Sequence, residues 1–338
     1  MAINIPVIPP MWPPVERDYP ITPRENIMRA LSHEKPVWMP NFYGDTQCFV
    51  SRLCREVGSR TGDGCDWFGT FYKWSDAQSS ATPEPGLFDE IGQWREKMVF
   101  PDLGAIDWAS EKDSCVRDPS RALYMRMSNG PFERLHMSEG FEQALIDLIT
   151  EPDECRAFFE RIVDYKIELF NKMRDVHDFD FIICADDYGT ARAPFFSTEL
   201  FEKTLLNAQR RFVEAVHARG TKFIAHCCGR IECFIPYFVN DIGFDGLEIQ
   251  PINDIEWILK TFGDRITIEY KADPAVVFND EATEEQLTAH ARDIVSRFGA
   301  QSVPGSGVIM NLQSSFEHSY GVIERTIYEA SCEAYKNL

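Results

Sequence analysis

The spacing of apolar residues changes character along this chain. Beyond about residue 140, short continuous apolar runs alternate with stretches whose apolar positions recur three and four apart. The runs are Phe181-Ile-Ile-Cys184, Lys222-Phe-Ile-Ala225, Gly246-Leu-Glu-Ile249, Arg265-Ile-Thr-Ile268 and Gly307-Val-Ile-Met310. Each is short enough to be a strand covered on both faces. Between them, residues 152–173 carry Phe158, Phe159, Ile162, Val163, Leu169 and Phe170 at helical spacing. Further helices are predicted from Ser197 to a Gly220 stop, near 254–262, over 283–298 and at the end of the chain. Buried strands alternating with amphipathic helices predict parallel strands joined by crossovers.

The first 140 residues are less regular. Residues 1–20 contain six prolines and predict an extended arm. Thr22, Pro23 and Glu25 then read as N-cap, first turn and capping-box partner of a helix through Leu31. Val37-Trp-Met-Pro40 predicts a first strand. Residues 61–118 are rich in Gly, Pro, Asp and aromatics, as expected of excursions over a barrel mouth. No GxGxxG follows the first strand, which counts against a dinucleotide-binding sheet. The expectation is an α/β chain whose residues 21–338 form one (β/α)8 TIM barrel.

Composition narrows the function. With 34 Lys and Arg against 54 Asp and Glu, the net charge of −20 disfavours nucleic acid and membrane surfaces as partners. It also disfavours a polyanionic substrate unless a local basic pocket overrides the net field. The ten cysteines include no CxxC pair, as expected of reduced thiols in a cytoplasmic protein. The sequence does not decide between monomer and homodimer.

In a barrel of this kind, chemistry sits at the carboxyl-terminal ends of the strands. Read in order, these ends are Asn41 and Asp45, Asp186 and Asp187, His226 and Cys228, Glu248, Glu269, and Asn311. His226 and Cys228, two apart in extended backbone, point the same way and can share one zinc ion. Glu248 or Glu269 could complete that site, and both, with Asp187, are candidate catalytic groups. The alternative is a buried histidine beside ordinary core cysteines. Asp186 reads as a substrate ligand or as a loop cap. Trp67 and Phe68, in an aromatic-rich stretch, read either as a substrate wall or as packing.

Several segments resemble a known family. Thr22-Pro-Arg-Glu-Asn-Ile-Met-Arg-Ala-Leu31 and Glu34-Lys-Pro-Val-Trp-Met-Pro40 resemble the opening of the uroporphyrinogen decarboxylase superfamily. Asp66-Trp-Phe-Gly69, Asp89-Glu-Ile-Gly-Gln-Trp94, Phe100-Pro-Asp102, Phe132-Glu-Arg-Leu-His136, Asp186-Asp-Tyr-Gly189, His226-Cys-Cys-Gly229 and Asn253-Asp254 resemble its corrinoid-dependent methyltransferase branch. The decarboxylases carry an arginine-containing R-Q-A-G-R stretch after the first strand, where this chain has Asn41-Phe-Tyr-Gly-Asp45. The methyltransferases hold zinc with an HxC pair and a later cysteine, but no cysteine lies between Cys233 and Cys332 here. A carboxylate in that place makes a harder site, suited to an ether or amine.

The resemblance implies a substrate:corrinoid-protein methyltransferase. It would move a methyl group from a small methylated substrate, such as a methoxylated aromatic, to Co(I) cobalamin on a partner corrinoid protein. Zinc or an acid would polarise the leaving oxygen, and Asn41, Tyr43, Trp67, Phe68 and Asp186 would bind substrate. The alternatives are a methylcobalamin:thiol methyltransferase of the coenzyme M type, a uroporphyrinogen decarboxylase, and a noncatalytic corrinoid-binding barrel.

Overall fold

The structure, a computed structural model, describes residues 13, 15–56, 62–77, 80–113, 115–312, 316–336 and 338. Ten strands occur among them. They are β1 (Thr46–Phe49), β2 (Gly64–Cys65), β3 (Phe71–Ser75), β4 (Ser80–Glu84), β5 (Ala122–Met127), β6 (Phe181–Ala185), β7 (Lys222–Cys227), β8 (Gly246–Ile249), β9 (Thr267–Lys271) and β10 (Val308–Asn311). Seven form one parallel sheet in the order β1-β5-β6-β7-β8-β9-β10, with helices between successive strands. This is the (β/α)8-type barrel expected from the alternating pattern.

The ring closes through one short stretch. Asn41 forms a parallel bridge to Met310, and the Met310 amide donates to the Pro40 carbonyl at 2.8 Å. After one helical turn, α2 (Phe42–Asp45), the chain resumes as β1 against β5. The strand expected over Val37–Pro40 is therefore reduced to that bridge, because the backbone turns helical before it can extend.

The lower half of the barrel is apolar. The helix α1 (Pro23–Leu31) inserts Ile27, Ala30 and Leu31 among Tyr124, Phe181, Ile183, Ile224 and Ile309, all buried. The Thr22 hydroxyl caps α1 by accepting from the Glu25 amide. The Glu25 carboxylate does not return that bond; it pairs with Arg29 at 3.0 Å. From below, Thr267 donates to the Ala30 carbonyl at 2.6 Å and fixes the plug to β9.

Of the proline-rich arm, residues 1–12 and 14 lie outside the described residues. Farther along it, Arg17 pairs with Glu324 of the last helix, and Tyr19 stacks on Trp38 with centroids 5.0 Å apart. Within 61–118 the chain builds a three-stranded antiparallel sheet, β2-β3-β4, which weak periodicity did not predict. Two buried ion pairs tie this region and the segment before it to the barrel's helices, Arg134 with Asp66 and Lys166 with Glu56, the latter at 2.9 Å.

Candidate active site

Strand parity and register bring the polar strand ends into one row. In parallel strands, partners in register face the same side. His226 stands opposite Ala185 and Glu248, and Glu248 stands opposite Glu269. Two residues beyond Glu269, Lys271 stands opposite Asn311. On β5, Arg126 is in register with Ile183 of the barrel interior and shares its inward face. The upper barrel thus presents a basic, an acidic and an imidazole side chain on adjacent strands above an apolar floor.

Two loops bring Asp187 to this row. After β6 the chain runs Asp186-Asp187-Tyr188-Gly189, and after β7 it runs Cys228-Gly229-Arg230. Gly229 has φ +92, and a Cβ there would come within 2.2 Å of the Gly189 backbone. Only glycine allows the two loops to lie backbone to backbone. Across that contact the Cys228 amide donates to Asp187 Oδ1 at 2.7 Å. Asn253 fastens the second loop from behind, accepting from the Ile231 amide and donating to the Gly229 carbonyl.

The result is a trio of possible metal donors. Asp187, His226 and Cys228 offer oxygen, nitrogen and sulfur atoms that all lie within 4.8 Å of one another. Cys228 Sγ is 3.4 Å and Asp187 Oδ1 is 3.7 Å from His226 Nε2. Burial, then the charge of Asp187, pushes the Cys228 thiol up to about 12. A bound cation would reverse that shift, because it stabilises the thiolate. Mixed N, S and O donors with an open side suit zinc. Glu248 and Glu269 do not join this group.

Glu248 meets His226 from the opposite ring nitrogen. His226 Nδ1 lies 2.8 Å from Glu248 Oε2. Arg126 donates to Oε2 at 3.0 Å, and Lys271 approaches Oε1 at 3.2 Å. Burial alone would raise the Glu248 carboxyl, yet His226, Arg126 and Lys271 hold it well below the usual range. Glu269 moves the other way. Burial and the neighbouring charge of Glu248 raise it, and its Oε2 has no partner among the described residues. Asn311 donates to its other oxygen, Oε1.

Other expected site residues lie elsewhere. Asp186 is buried and accepts from the Phe132 and Glu133 amides, so it caps the helix Pro131–Glu139 from outside; Tyr188 and Gln209 also bond it. Asn41 ends the bridging stretch beside Met310, whereas Tyr43, within the helical turn that follows, lies beside the amino-terminal start of β5. The Asn41 side chain donates to Tyr320, and the Tyr43 carbonyl accepts from Arg121, just before β5. Tyr43 is displaced by the turn into α2, which the strand reading of 37–40 did not foresee. Phe68 is buried beneath the Arg134 guanidinium, 4.2 Å from its ring centroid, and Trp67 meets Trp108 edge-on. Both lie in the turn between β2 and β3. Arg126 and Lys271 escaped the sequence reading, although Lys271 follows Glu269 by two and so shares its face.

The family model for uroporphyrinogen decarboxylase (URO-D) matches residues 128–316, more than half of the chain. The chain belongs to the uroporphyrinogen decarboxylase family. The span matched to that family holds Asp187, His226, Cys228, Glu248, Glu269, Lys271 and Asn311; Arg126 lies just before it. Among solved structures, the chain is similar to a methyltransferase from Methanosarcina mazei. The TM-score is 0.59 at 13% identity, covering 91% of this chain and 99% of that one. At that identity the likeness is one of fold. A uronate isomerase from Bacillus halodurans is similar over 70% of this chain and 54% of its own, at 10% identity and a TM-score of 0.29, too low to bear on function. No curated protein matches the chain. Among the described residues no helix is long and apolar enough to cross a membrane.

Proposed function

We propose that the chain transfers a methyl group from a small methylated substrate, a methoxylated aromatic foremost, to a corrinoid carried on a partner protein. The observation that carries this reading is the trio at the strand ends, three different donor atoms within 4.8 Å. The shared fold with the Methanosarcina mazei methyltransferase supports the same reaction class. Asp187, His226 and Cys228 would hold zinc, with Asp187 where the branch's later cysteine is missing. When bound, the metal supplies Lewis acidity toward a weakly basic ether oxygen.

The rest of the work falls to the chain's own side chains. Glu248, at Nδ1 of His226, keeps Nε2 turned toward Cys228 and Asp187. Glu269 keeps its proton at neutral pH and has an oxygen free, so it suits protonation of a departing oxygen. Asn311 orients that acid through its other oxygen. The thiol alternative has less support. Cys332 belongs to the helix Glu317–Tyr335 and lies next to Tyr328, away from His226.

Elemental analysis of protein purified without chelator, followed by turnover with Co(I) cobalamin and a panel of methyl ethers, methylamines and methyl thioethers, tests the reading. One zinc per chain and ether-dependent loss of the Co(I) absorbance are expected, both abolished in His226→Ala. Metal-free protein whose His226→Ala variant keeps full activity would remove the trio from catalysis. Failure of every donor to consume Co(I) would remove the reading itself.

A further inference from the structure

Two cations at the barrel mouth are more than the acid beneath them needs. Arg126 ends β5 and Lys271 ends β9, and both reach Glu248, one at each oxygen. Glu248 is buried, whereas the side chains of Arg126 and Lys271 are 36% and 31% exposed. Among the described residues, Arg126 uses one of its five N–H donors, and Lys271 has Glu248 as its one acidic partner. One carboxylate cannot neutralise two permanent cations, and His226 already crowds the same oxygen. One cation would have sufficed to compensate a buried Glu248. The neighbouring carboxyl, Glu269, keeps its proton and does not cancel the excess.

We infer that the substrate carries a single carboxylate, and that this group seats between Arg126 and Lys271. The spare edge of the Arg126 guanidinium matches a carboxylate bidentately, and the Lys271 ammonium supplies a point charge beside it. Counted against Glu248 alone, with Asp187 turned to the Cys228 amide, the two cations leave about one positive charge, so a monoanion fits better than a polyanion. Against a net charge of −20, a positive spot at the strand ends also draws an anion inward. The chain's general repulsion of anions is thereby reversed at one place. This inference rests on the mouth being the substrate site of the methyl-transfer reading.

The probes are 4-methoxybenzoate and its neutral counterpart 4-methoxybenzamide, titrated calorimetrically into wild type, Arg126→Gln and Lys271→Gln. Wild type is expected to bind the carboxylate at least tenfold more tightly than the amide. Each variant should bring that ratio to within threefold while leaving amide affinity in place. Lys271→Gln carries the test if loss of Arg126 unfolds the chain, since Arg126 would still compensate Glu248. Equal affinities in wild type, no carboxylate binding at all, or a ratio that survives both substitutions overturns the seat. Turnover separates this from the parent reading. A carboxylate preference without consumption of Co(I) cobalamin upholds the seat and ends the methyl-transfer proposal. Consumption of Co(I) with no carboxylate preference does the reverse.

Discussion

Asp245 and Glu248 stand three residues apart at the two ends of β8, and each gathers a similar set of partners. Asp245, at the amino-terminal end, accepts from Lys222 at 2.8 Å and from the Phe223 amide at 2.8 Å, and it lies 2.6 Å from His217 Nε2. Glu248, at the carboxyl-terminal end, meets Arg126, Lys271 and His226 at 3.0, 3.2 and 2.8 Å. Around Asp245 no buried side-chain atom is left without a partner among the described residues. Around Glu248, the free atoms Glu269 Oε2 and Asn311 Oδ1 remain inside the barrel. The same chemistry is closed on itself at one end and left unfinished at the other. Buried polar groups are costly unless satisfied, so an unfinished end is maintained for what it binds.

Removing His226 should give the largest effect. His226→Ala is expected to lower methyl-transfer turnover about a thousandfold, ~4 kcal/mol of transition-state stabilisation. Its thermal midpoint should move by only a few degrees, because Glu248 keeps Arg126 and Lys271 as partners. A loss of turnover matched by equal unfolding would place His226 in the frame of the barrel instead.

Asp245→Ala should show the opposite profile. It strands Lys222 and the Phe223 amide, for a destabilisation of about 3 kcal/mol in urea titrations. Turnover per folded molecule should stay within twofold of wild type. If turnover falls tenfold at equal folded fraction, the two ends are coupled in a way their geometry does not suggest.

The pH dependence of the two ends should differ in sign. Burial would raise Asp245, but His217 and Lys222 more than offset it and hold it below 3.8. Its contribution to stability is therefore present above 3.8 and is lost as pH falls through the lower folded value. Glu269 starts from 4.5 and is pushed up to about 8, first by burial and then by Glu248. Its folded form keeps a proton that the unfolded chain gives up above 4.5, so stability is lost as pH rises from there to about 8. Glu269→Gln should thus gain up to about 4 kcal/mol over wild type at pH 8 and almost nothing at pH 4. Urea midpoints at the two pH values measure this. An equal gain at both would mean that Glu269 is ionised in the folded state.

The smallest effect is expected at Asn41. Losing its bond to Tyr320 should cost about 1 kcal/mol, with kcat/KM unchanged within twofold. A tenfold loss in kcat/KM for Asn41→Ala would return this stretch to the site.

The alternating pattern after residue 140 made the barrel legible, because short continuous apolar runs set between amphipathic helices fit buried parallel strands and little else. Strand β5 was missed. Its sequence Ala122-Leu-Tyr-Met-Arg-Met127 sets an arginine where a covered strand should be apolar, and the arginine is there because it enters the mouth. His226 and Cys228 were legible through simple parity. The neighbourhood of Asp187 was not, since it depends on two loops touching at Gly189 and Gly229, a tertiary contact that no local spacing encodes. Tyr43 was not legible, because a single helical turn after Asn41 carries it away from the end of the apolar run before it.

With Ile27, Ala30 and Leu31 packed into its lower half, α1 closes the barrel from below among the described residues. Whatever reacts inside must come and go by the mouth, including a molecule that a macromolecular partner would cover on docking. On the methyl-transfer reading proposed above, arrival would then be ordered: the small substrate would enter first, the methyl acceptor would close over it, and the demethylated product would leave only after the partner lifts away. A partner bound too early blocks the way in. An excess of it should slow turnover instead of saturating it, and more small substrate should relieve that inhibition.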